Sequence, residues 1–450
     1  MTIPPETAAG LETTTAAVTE IADELPLPRE VDHDSETHTR RGEQRAFDSI
    51  LFSSFGGPDG QEDVIPFLRN VTRGRGIPDE RLEEVAGHYR ALGGRSPITE
   101  QNRAMIASLQ VELAARGIDM PVYFGNRNWE PYNADAVTAL HADGRRHALG
   151  LVTSAYSSYS SCRQYREDFA MVLEETGLAD EVTIDKVRVY FNHPGFLDPV
   201  ADGLEQALRS LGDAGHDVDR IAVLFSTHSV PLSMAEASGP EETRVEGSSG
   251  WYVAQHLAAC RYVMDRVDDA LPQLPSWRLV YQSRSGAPHI PWLEPDVNDV
   301  IEEIAEQRSA DAVVVVPIGF VTDHVEVIWD LDTEAKETAQ EHGLAFERVA
   351  TSGTDPRFIK ALADLVQERL DPAFPRQEVT DFGPTPDVCG ANCCVGRMCR
   401  PTTSGVDSAR DVQRARAVRE QEQAAGAGTS GAGATGADTP GAGASGADAS

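Results

Sequence analysis

Ala312-Val313-Val314-Val315-Val316-Pro317 is apolar at every position, with no alternation of polar and apolar residues. A strand of this kind hides both faces only in a sheet covered on both sides, the habit of parallel sheets in α/β proteins. Six more short runs of strand character recur along the chain: Ile50–Phe55, Val122–Gly125, Ala148–Ser154, Val187–Phe191, Ile221–Ser226 and Leu279–Gln282. Amphipathic stretches of helical length separate them: Gln61–Val71, Ile98–Arg116, Ala134–Asp143, Tyr165–Thr176, Ala201–Ala214, Gly250–Leu271, Val297–Gln307, Thr333–His342 and Pro356–Leu370. Alternating strands and helices predict an α/β fold. A chain of 450 residues, 40% apolar, has room for one large core or two medium ones. Two doubly wound, Rossmann-like domains are expected, 46–202 and 203–372, with the boundary between Val200 and Leu204.

The two ends read differently. Residues 1–45 are rich in Thr, Ala, Glu and Pro and have neither a basic leader nor a continuous apolar segment, so a disordered extension without a targeting signal is expected. From Ala424 to Ser450 only Ala, Gly, Ser, Thr, Asp and Pro occur, and 406–450 reads as a low-complexity tail with nothing to bury. The longest apolar stretch, Ala312 to Val321, is too short to span a bilayer and holds Pro317. A net charge of −33 leaves no basic footprint for nucleic acid or an anionic membrane. Only three of the 39 basic residues are Lys, so much of the acidity reflects a general Arg, Ala, Gly and Asp bias. A cytoplasmic monomer is expected, with no membrane insertion.

Ligands of doubly wound sheets bind beyond the C-terminal strand ends. Four of those ends carry unusual residues. Ile50–Phe55 leads into Gly56-Gly57-Pro58, Ala148–Ser154 into the hydroxyl-rich Ala155 to Cys162, and Ile221–Ser226 into Thr227-His228-Ser229-Val230-Pro231. Ala312–Pro317 leads into Asp323-His324-Val325-Glu326, followed by Asp330 and Asp332. Asp323 to Glu326 is an i,i+3 spacing and Glu326 to Asp330 is i,i+4, so a helix here would stack these acids on one face. Such a line suits a route for cations or protons; the bland alternative is the acidic first turn of a solvated helix. No Gly-x-Gly-x-x-Gly or Walker loop occurs, which argues against a nucleotide.

Six cysteines complete the chemistry-bearing set. Cys260 lies in an amphipathic stretch and reads as a buried structural thiol. Cys389, Cys393, Cys394 and Cys399 fall within eleven residues. In a reducing compartment that density points to a metal, with zinc and iron–sulfur equally compatible with the spacing.

Five segments, in order, resemble those of the ferrochelatase family, the enzymes that insert Fe²⁺ into a porphyrin. They are Phe55-Gly56-Gly57-Pro58, Tyr89 to Ile98, Leu224 to Pro231, Tyr281-Gln282-Ser283-Arg284 with Pro291-Trp292-Leu293, and Pro317 to Asp332. The resemblance covers Ser49 to Leu370 and most of the Cys region, 373–405, which it makes a cluster-binding segment. It implies a type II chelatase-like fold, two similar doubly wound domains with parallel sheets flanked by helices. It assigns His228 as acceptor of the pyrrole protons, Glu326 as its partner in metal delivery or proton removal, and Asp323 and Asp330 as the metal path. His228 and Glu326 would be the residues nearest the incoming metal, and His324 an orienting neighbour.

The stretch before Ser96-Pro97 is charged from Arg73 to Glu84, like the rim of the soluble coproporphyrin III enzymes rather than an apolar membrane lip. Coproporphyrin III and Fe²⁺ are therefore the expected substrates, with protoporphyrin IX, a non-catalytic porphyrin carrier and a cobalt chelatase of corrinoid synthesis as alternatives. Intact His228 and Glu326 favour an enzyme over a carrier. Transient contacts with enzymes of the haem pathway are also implied. Ser96 and Tyr156 match propionate-binding positions; Arg73 and Arg75 are either propionate partners or parts of a solvated loop. Phe55 replaces the Tyr of some soluble relatives and offers the metal no oxygen. The resemblance also implies a 2Fe-2S cluster on Cys162, Cys389, Cys394 and Cys399, with Cys162, Cys389, Cys393 and Cys394 as the alternative set.

Overall fold

The structure, a computed structural model, describes residues 46–405 apart from 75, 245–247, 287–288, 391 and 397–399. The expected terminal extension and tail, Arg75 and Cys399 lie outside the described residues. Two parallel four-stranded sheets form the framework. The first holds β1 (Ser49–Ser54), β2 (Val122–Asn126), β3 (His147–Val152) and β4 (Thr183–Lys186) in the order β2-β1-β3-β4. The second holds β5 (Ile221–His228), β6 (Ser276–Gln282), β7 (Ala312–Val316) and β8 (Ala345–Arg348) in the order β6-β5-β7-β8. The same winding occurs twice, as the α/β reading expected. Each sheet reverses direction between its first and third strands, which places a crevice beyond β1/β3 and another beyond β5/β7.

The helices are α1 (Val64–Val71), α2 (Asp79–Ala91), α3 (Ile98–Ala115), α4 (Asn133–Ala142), α5 (Gln164–Glu175) and α6 (Pro194–Asp213), then α7 (Leu232–Glu236), α8 (Gly250–Asp268), α9 (Val297–Gln307), α10 (Val325–Val327), α11 (Lys336–Glu341) and α12 (Pro356–Leu370). Tyr159–Arg163 and Ile328–Ala335 are π-helical. All of β7 is completely buried, as its unbroken apolar run requires. Each such Val contributes roughly 1.5–3 kcal/mol of burial.

The expected strand Val187–Phe191 is not one. The ladder with β3 ends at Gly150 opposite Lys186, and the chain then peels away, with the amides of Tyr190 and Phe191 both reaching Ala155 O. Arg188 draws it off: its buried guanidinium makes two bonds, 2.8 and 3.0 Å, to Glu368 of α12. The expected boundary at Val200–Leu204 falls inside α6, which is continuous across it. Nor are there two separate cores. One apolar cluster joins Ile50 and Phe52 of the first sheet to Val223, Phe225 and Val314 of the second. α12, from the second half, packs on α3 of the first, with Arg116 2.5 Å from Asp364.

The C-terminal segment also returns to the first half. Arg188 donates to Gln377 O at 2.8 Å, Thr385 to Val189 O at 2.7 Å and Arg166 to Thr403 O at 2.6 Å. Among the described residues no helix is long and apolar enough to cross a membrane.

Candidate active site

His228 is the last residue of β5 and Glu326 sits in α10, just beyond β7. Adjacent parallel strands thus bring together two residues nearly a hundred positions apart. His228 Nε2 lies 3.7 Å from Glu326 Oε2, and the two side chains are 36% and 39% exposed, open enough to meet a substrate. His228 Nδ1 is 2.5 Å from Ser229 O. A carbonyl only accepts, so Nδ1 carries a hydrogen, and in the neutral ring the lone pair sits on Nε2. The basic nitrogen therefore faces the carboxylate. The Pro291-Trp292-Leu293 element braces this tip: Leu293 N donates to Val230 O at 3.0 Å, and Ser229 Oγ to Leu293 O at 2.8 Å.

The acid line is rearranged. Asp323 precedes the helix and is held by Arg348 at 2.9 Å, while Arg348 also grips Asp332 at 2.6 and 2.9 Å. Asp323 therefore does not stack with Glu326 as expected; an arginine neutralises it. The line runs instead through Glu326, Asp330 and Glu334. The i→i+5 bonding of the π-helix widens each turn, so a four-residue spacing returns to nearly the same side. Burial, with repulsion from Glu326 and Glu334, pushes Asp330 up to about 7, against hydrogen bonds from Ser283 and Gln282. Ser283 takes a left-handed φ of 60° to present that hydroxyl, a backbone cost of the kind found at working sites. Gln282 Nε2 reaches Asp330 at 3.1 Å. Burial lowers His324, partly offset by Glu326, so it stands beside the line as a neutral ring.

Phe55 lies half-buried at the tip of β1, edge-on to Phe67 at 6.2 Å. Phe67, Tyr89 and Val325 share its apolar cluster, which carries the cleft floor from the β1 tip to the segment bearing Glu326. Burial, then Glu326 and Asp330, raise the Tyr89 hydroxyl well above its usual range, so it faces the acid line as a neutral group. Arg73, two residues past the end of α1, is exposed, with one nitrogen 2.6 Å from Asn70 Oδ1. Two expected rim residues are turned inward. Ser96 is 3% exposed and wedged against Gly57, where an added Cβ would lie 2.5 Å from Ser96 Cβ. Tyr156 is 2% exposed, stacked on His256 at 3.6 Å, and its hydroxyl is committed to Ile318 O at 2.9 Å. Neither presents a hydroxyl at the rim.

A second assembly lies away from the cleft. Cys162 lies beside Cys389 and Cys389 beside Cys393, and Cys393 Sγ is 3.8 Å from Cys394 Sγ. Cys389 is held well below the ordinary thiol range, first by Cys162 and Cys393 and further by the charges of Arg166 and Lys186. Cys394 Sγ accepts from Gly239 N at 3.3 Å. Four soft donors beside buried cations are the right kind of set for an iron–sulfur group. They run as a chain of contacts, and among the described residues no three metal-ligating side chains converge on one point. Cys260 is fully buried in α8.

Gln282, Ser283, Tyr89 and Glu334 belong to the site although none was singled out as a site residue from the sequence. The first three lay within the resembling segments; Glu334 was recoverable by continuing the four-residue spacing one step.

Comparison with known proteins agrees with this geometry. The profile of the ferrochelatase family matches residues 48–370. The chain is 54% identical to the coproporphyrin III ferrochelatase of Leifsonia xyli, across 78% of this chain and 91% of that protein. It is 51% identical to the coproporphyrin III ferrochelatase of Streptomyces griseus, across 80% and 97%. It is 44% identical to the ferrochelatase of Rhodopirellula baltica, across 80% and 96%. With that span matched, and with His228 facing Glu326 at the adjoining strand tips, the chain belongs to the ferrochelatase family.

Proposed function

We propose that the protein inserts Fe²⁺ into coproporphyrin III, releasing the two pyrrole protons. The observation that carries this reading is the His228 Nε2–Glu326 pair, an open proton acceptor beside a carboxylate at 3.7 Å. The porphyrin would lie over the apolar floor formed by Phe55 and its neighbours, with its pyrrole nitrogens toward His228. Nε2 accepts a pyrrole proton, and Glu326 stabilises the imidazolium that results. Asp330, close to half-protonated near neutral pH, passes protons on toward Glu334 and the surface. The same carboxylates present hard oxygen ligands to Fe²⁺ on its way in. The coproporphyrin III relatives and the charged rim with exposed Arg73 support four propionates over two. An aqueous, cytoplasmic setting suits such a substrate.

The cysteine assembly is read as the site of a 2Fe-2S cluster on Cys162, Cys389, Cys393 and Cys394, the alternative set, because these four thiols are gathered beside Arg166 and Lys186. Bound there, the cluster would tie the C-terminal segment covalently to the π-turn at Tyr159–Arg163. Metal insertion is redox-neutral and needs nothing further from it.

The test is an anaerobic insertion assay with Fe²⁺ and coproporphyrin III or protoporphyrin IX. The expected result is turnover with coproporphyrin III that falls about 10²–10⁴-fold in His228→Ala while porphyrin binding survives. Turnover of wild-type size in that variant would overturn the reading.

A further inference from the structure

β5 outruns its neighbour. Its ladder with β7 ends at Phe225 opposite Val316, and the last contact on that side is Gly319 N to Ser226 O at 3.2 Å. On the β6 side pairing continues to His228 opposite Gln282. Carbonyls alternate sides along a strand, so the His228 carbonyl points where β7 has already turned away. A peptide carbonyl left without a partner there would be costly and would leave the tip loose.

A side chain fills that place. The Tyr252 hydroxyl, from the first turn of α8, donates to His228 O at 2.9 Å. It also lies 3.0 Å from Thr227 Oγ1, and Thr227 Oγ1 lies 2.9 Å from His256 Nε2. The proton positions follow from the acceptors. His256 Nδ1 is 2.6 Å from Tyr252 O, so Nδ1 carries the hydrogen and Nε2 accepts from Thr227. Thr227 has no second proton, so the Tyr252 proton lies between the Thr227 oxygen and the His228 carbonyl. Tyr252, Thr227 and His256 are 5%, 1% and 0% exposed, so water cannot take over these bonds. The backbone of Tyr252 is pinned as well, its N–H donating to Ser238 Oγ at 2.8 Å. Gly319 makes the arrangement possible: a Cβ there would lie 2.0 Å from Thr227 Oγ1.

We propose that Tyr252 is a positioning residue for His228. With Thr227 and His256 behind it, its hydroxyl replaces the missing strand partner at the His228 peptide and fixes the imidazole toward Glu326. This rests on the reading of His228 as the proton acceptor. The chemistry needs Nε2 aimed at a porphyrin nitrogen, and misplacement of an acceptor by about 1 Å costs on the order of 10²-fold in rate.

The experiment compares Tyr252→Phe with Tyr190→Phe in the full-length protein. Tyr190 is a control of the same kind, a buried hydroxyl donated to a strand-end carbonyl, Val152 O, at 2.8 Å. Both variants should melt earlier. Tyr252→Phe should lose about tenfold or more in kcat with its KM for coproporphyrin III within about twofold, while Tyr190→Phe keeps its kcat. Thr227→Val should slow turnover likewise and Thr227→Ser restore it, a pair that serves if Tyr252→Phe fails to fold. Wild-type kcat in Tyr252→Phe, or equal losses in Thr227→Val and Thr227→Ser, would overturn the proposal. If the wild type inserts iron into neither porphyrin, the functional reading fails by itself. The His228 Nδ1 proton, observed by NMR in nitrogen-15-labelled protein, then decides: it should shift or broaden in Tyr252→Phe alone, and an unmoved resonance refutes the positioning role.

Discussion

Asp330 is held near 7 by burial and by the charges of Glu326 and Glu334, and this makes both activity and stability depend on its proton. A carboxyl whose folded value is raised binds its proton more tightly in the folded state. Its contribution to stability is therefore full below the unfolded value of about 3.9 and is lost as pH climbs through the folded value. In metal-free protein, Asp330→Asn should gain on the wild type by roughly 2 kcal/mol between pH 4 and 8, after discounting for solvent contact. Thermal unfolding across that range measures it, and a constant offset would show that Asp330 does not titrate there. In the insertion assay Glu326→Gln should cost about 10²-fold and Asp330→Asn about tenfold, since only Glu326 faces His228. Equal, small losses would return the segment to a charged helix start. The meeting of His228 and Glu326 was foreshadowed because each lies in a short contiguous motif at a strand tip. The pairing of Asp323 was hidden because its partner Arg348 sits on β8, a four-residue strand half-exposed throughout and carrying no apolar run to reveal it.

Whole elements were legible where a hydrophobic pattern marks them and hidden where it does not. β7 and α12 stand out by apolar content. α2 does not: its sequence is dominated by charge, and only Leu82, Ala86 and Tyr89 are buried. Val187–Phe191 is buried, and apolar but for Arg188, yet lies outside the sheet, because burial in a loop core leaves the same signature as burial in a sheet. The cysteine segment has no periodicity at all; its order comes from side-chain bonds to Arg166, Arg188 and Asn192. Anaerobically purified protein should carry two irons and two sulfides per chain. Cys162→Ser and Cys393→Ser should lose this chromophore and loosen the segment to proteolysis, whereas Cys260→Ser should keep it. Cys399→Ser separates the two ligand sets: retained colour selects Cys393, lost colour selects Cys399. Stoichiometric zinc without colour would replace the cluster by a structural zinc site.

At the scale of the molecule, the two windings share one core through α6, α8 and α12, so the cleft between them is lined by elements that cannot drift apart freely. The sequence points to two doubly wound units but not to their fusion, since an amphipathic helix such as α6 reads the same whether it closes one domain or joins two. The mouth of this cleft sets the last expectation. Arg69 pairs with Asp79, Arg81 with Glu84 and Arg90 with Glu83 on or beside α1 and α2, the helices that carry Phe67 and Tyr89, all on exposed side chains. Among the described residues the only exposed large apolar side chains are Ile77, between α1 and α2, and Val111, on α3. One Ile does not dock a protein of net charge −33 on an anionic bilayer, because insertion would desolvate paired charges for little buried area. On the proposed reading, this segment would leave the peripheral carboxylates of a tetra-anionic porphyrin in water beside exposed Arg73. The protein should therefore remain in solution without detergent and fail to float with anionic liposomes. It should show a higher kcat/KM for coproporphyrin III than for protoporphyrin IX. Arg73→Ala should raise KM for coproporphyrin III by about threefold to tenfold with kcat little changed, as expected for a charge-assisted hydrogen bond made equally in ground and transition states. Co-flotation with vesicles, or a preference for protoporphyrin IX that survives Arg73→Ala, would mean that the charged rim plays no part in choosing the porphyrin.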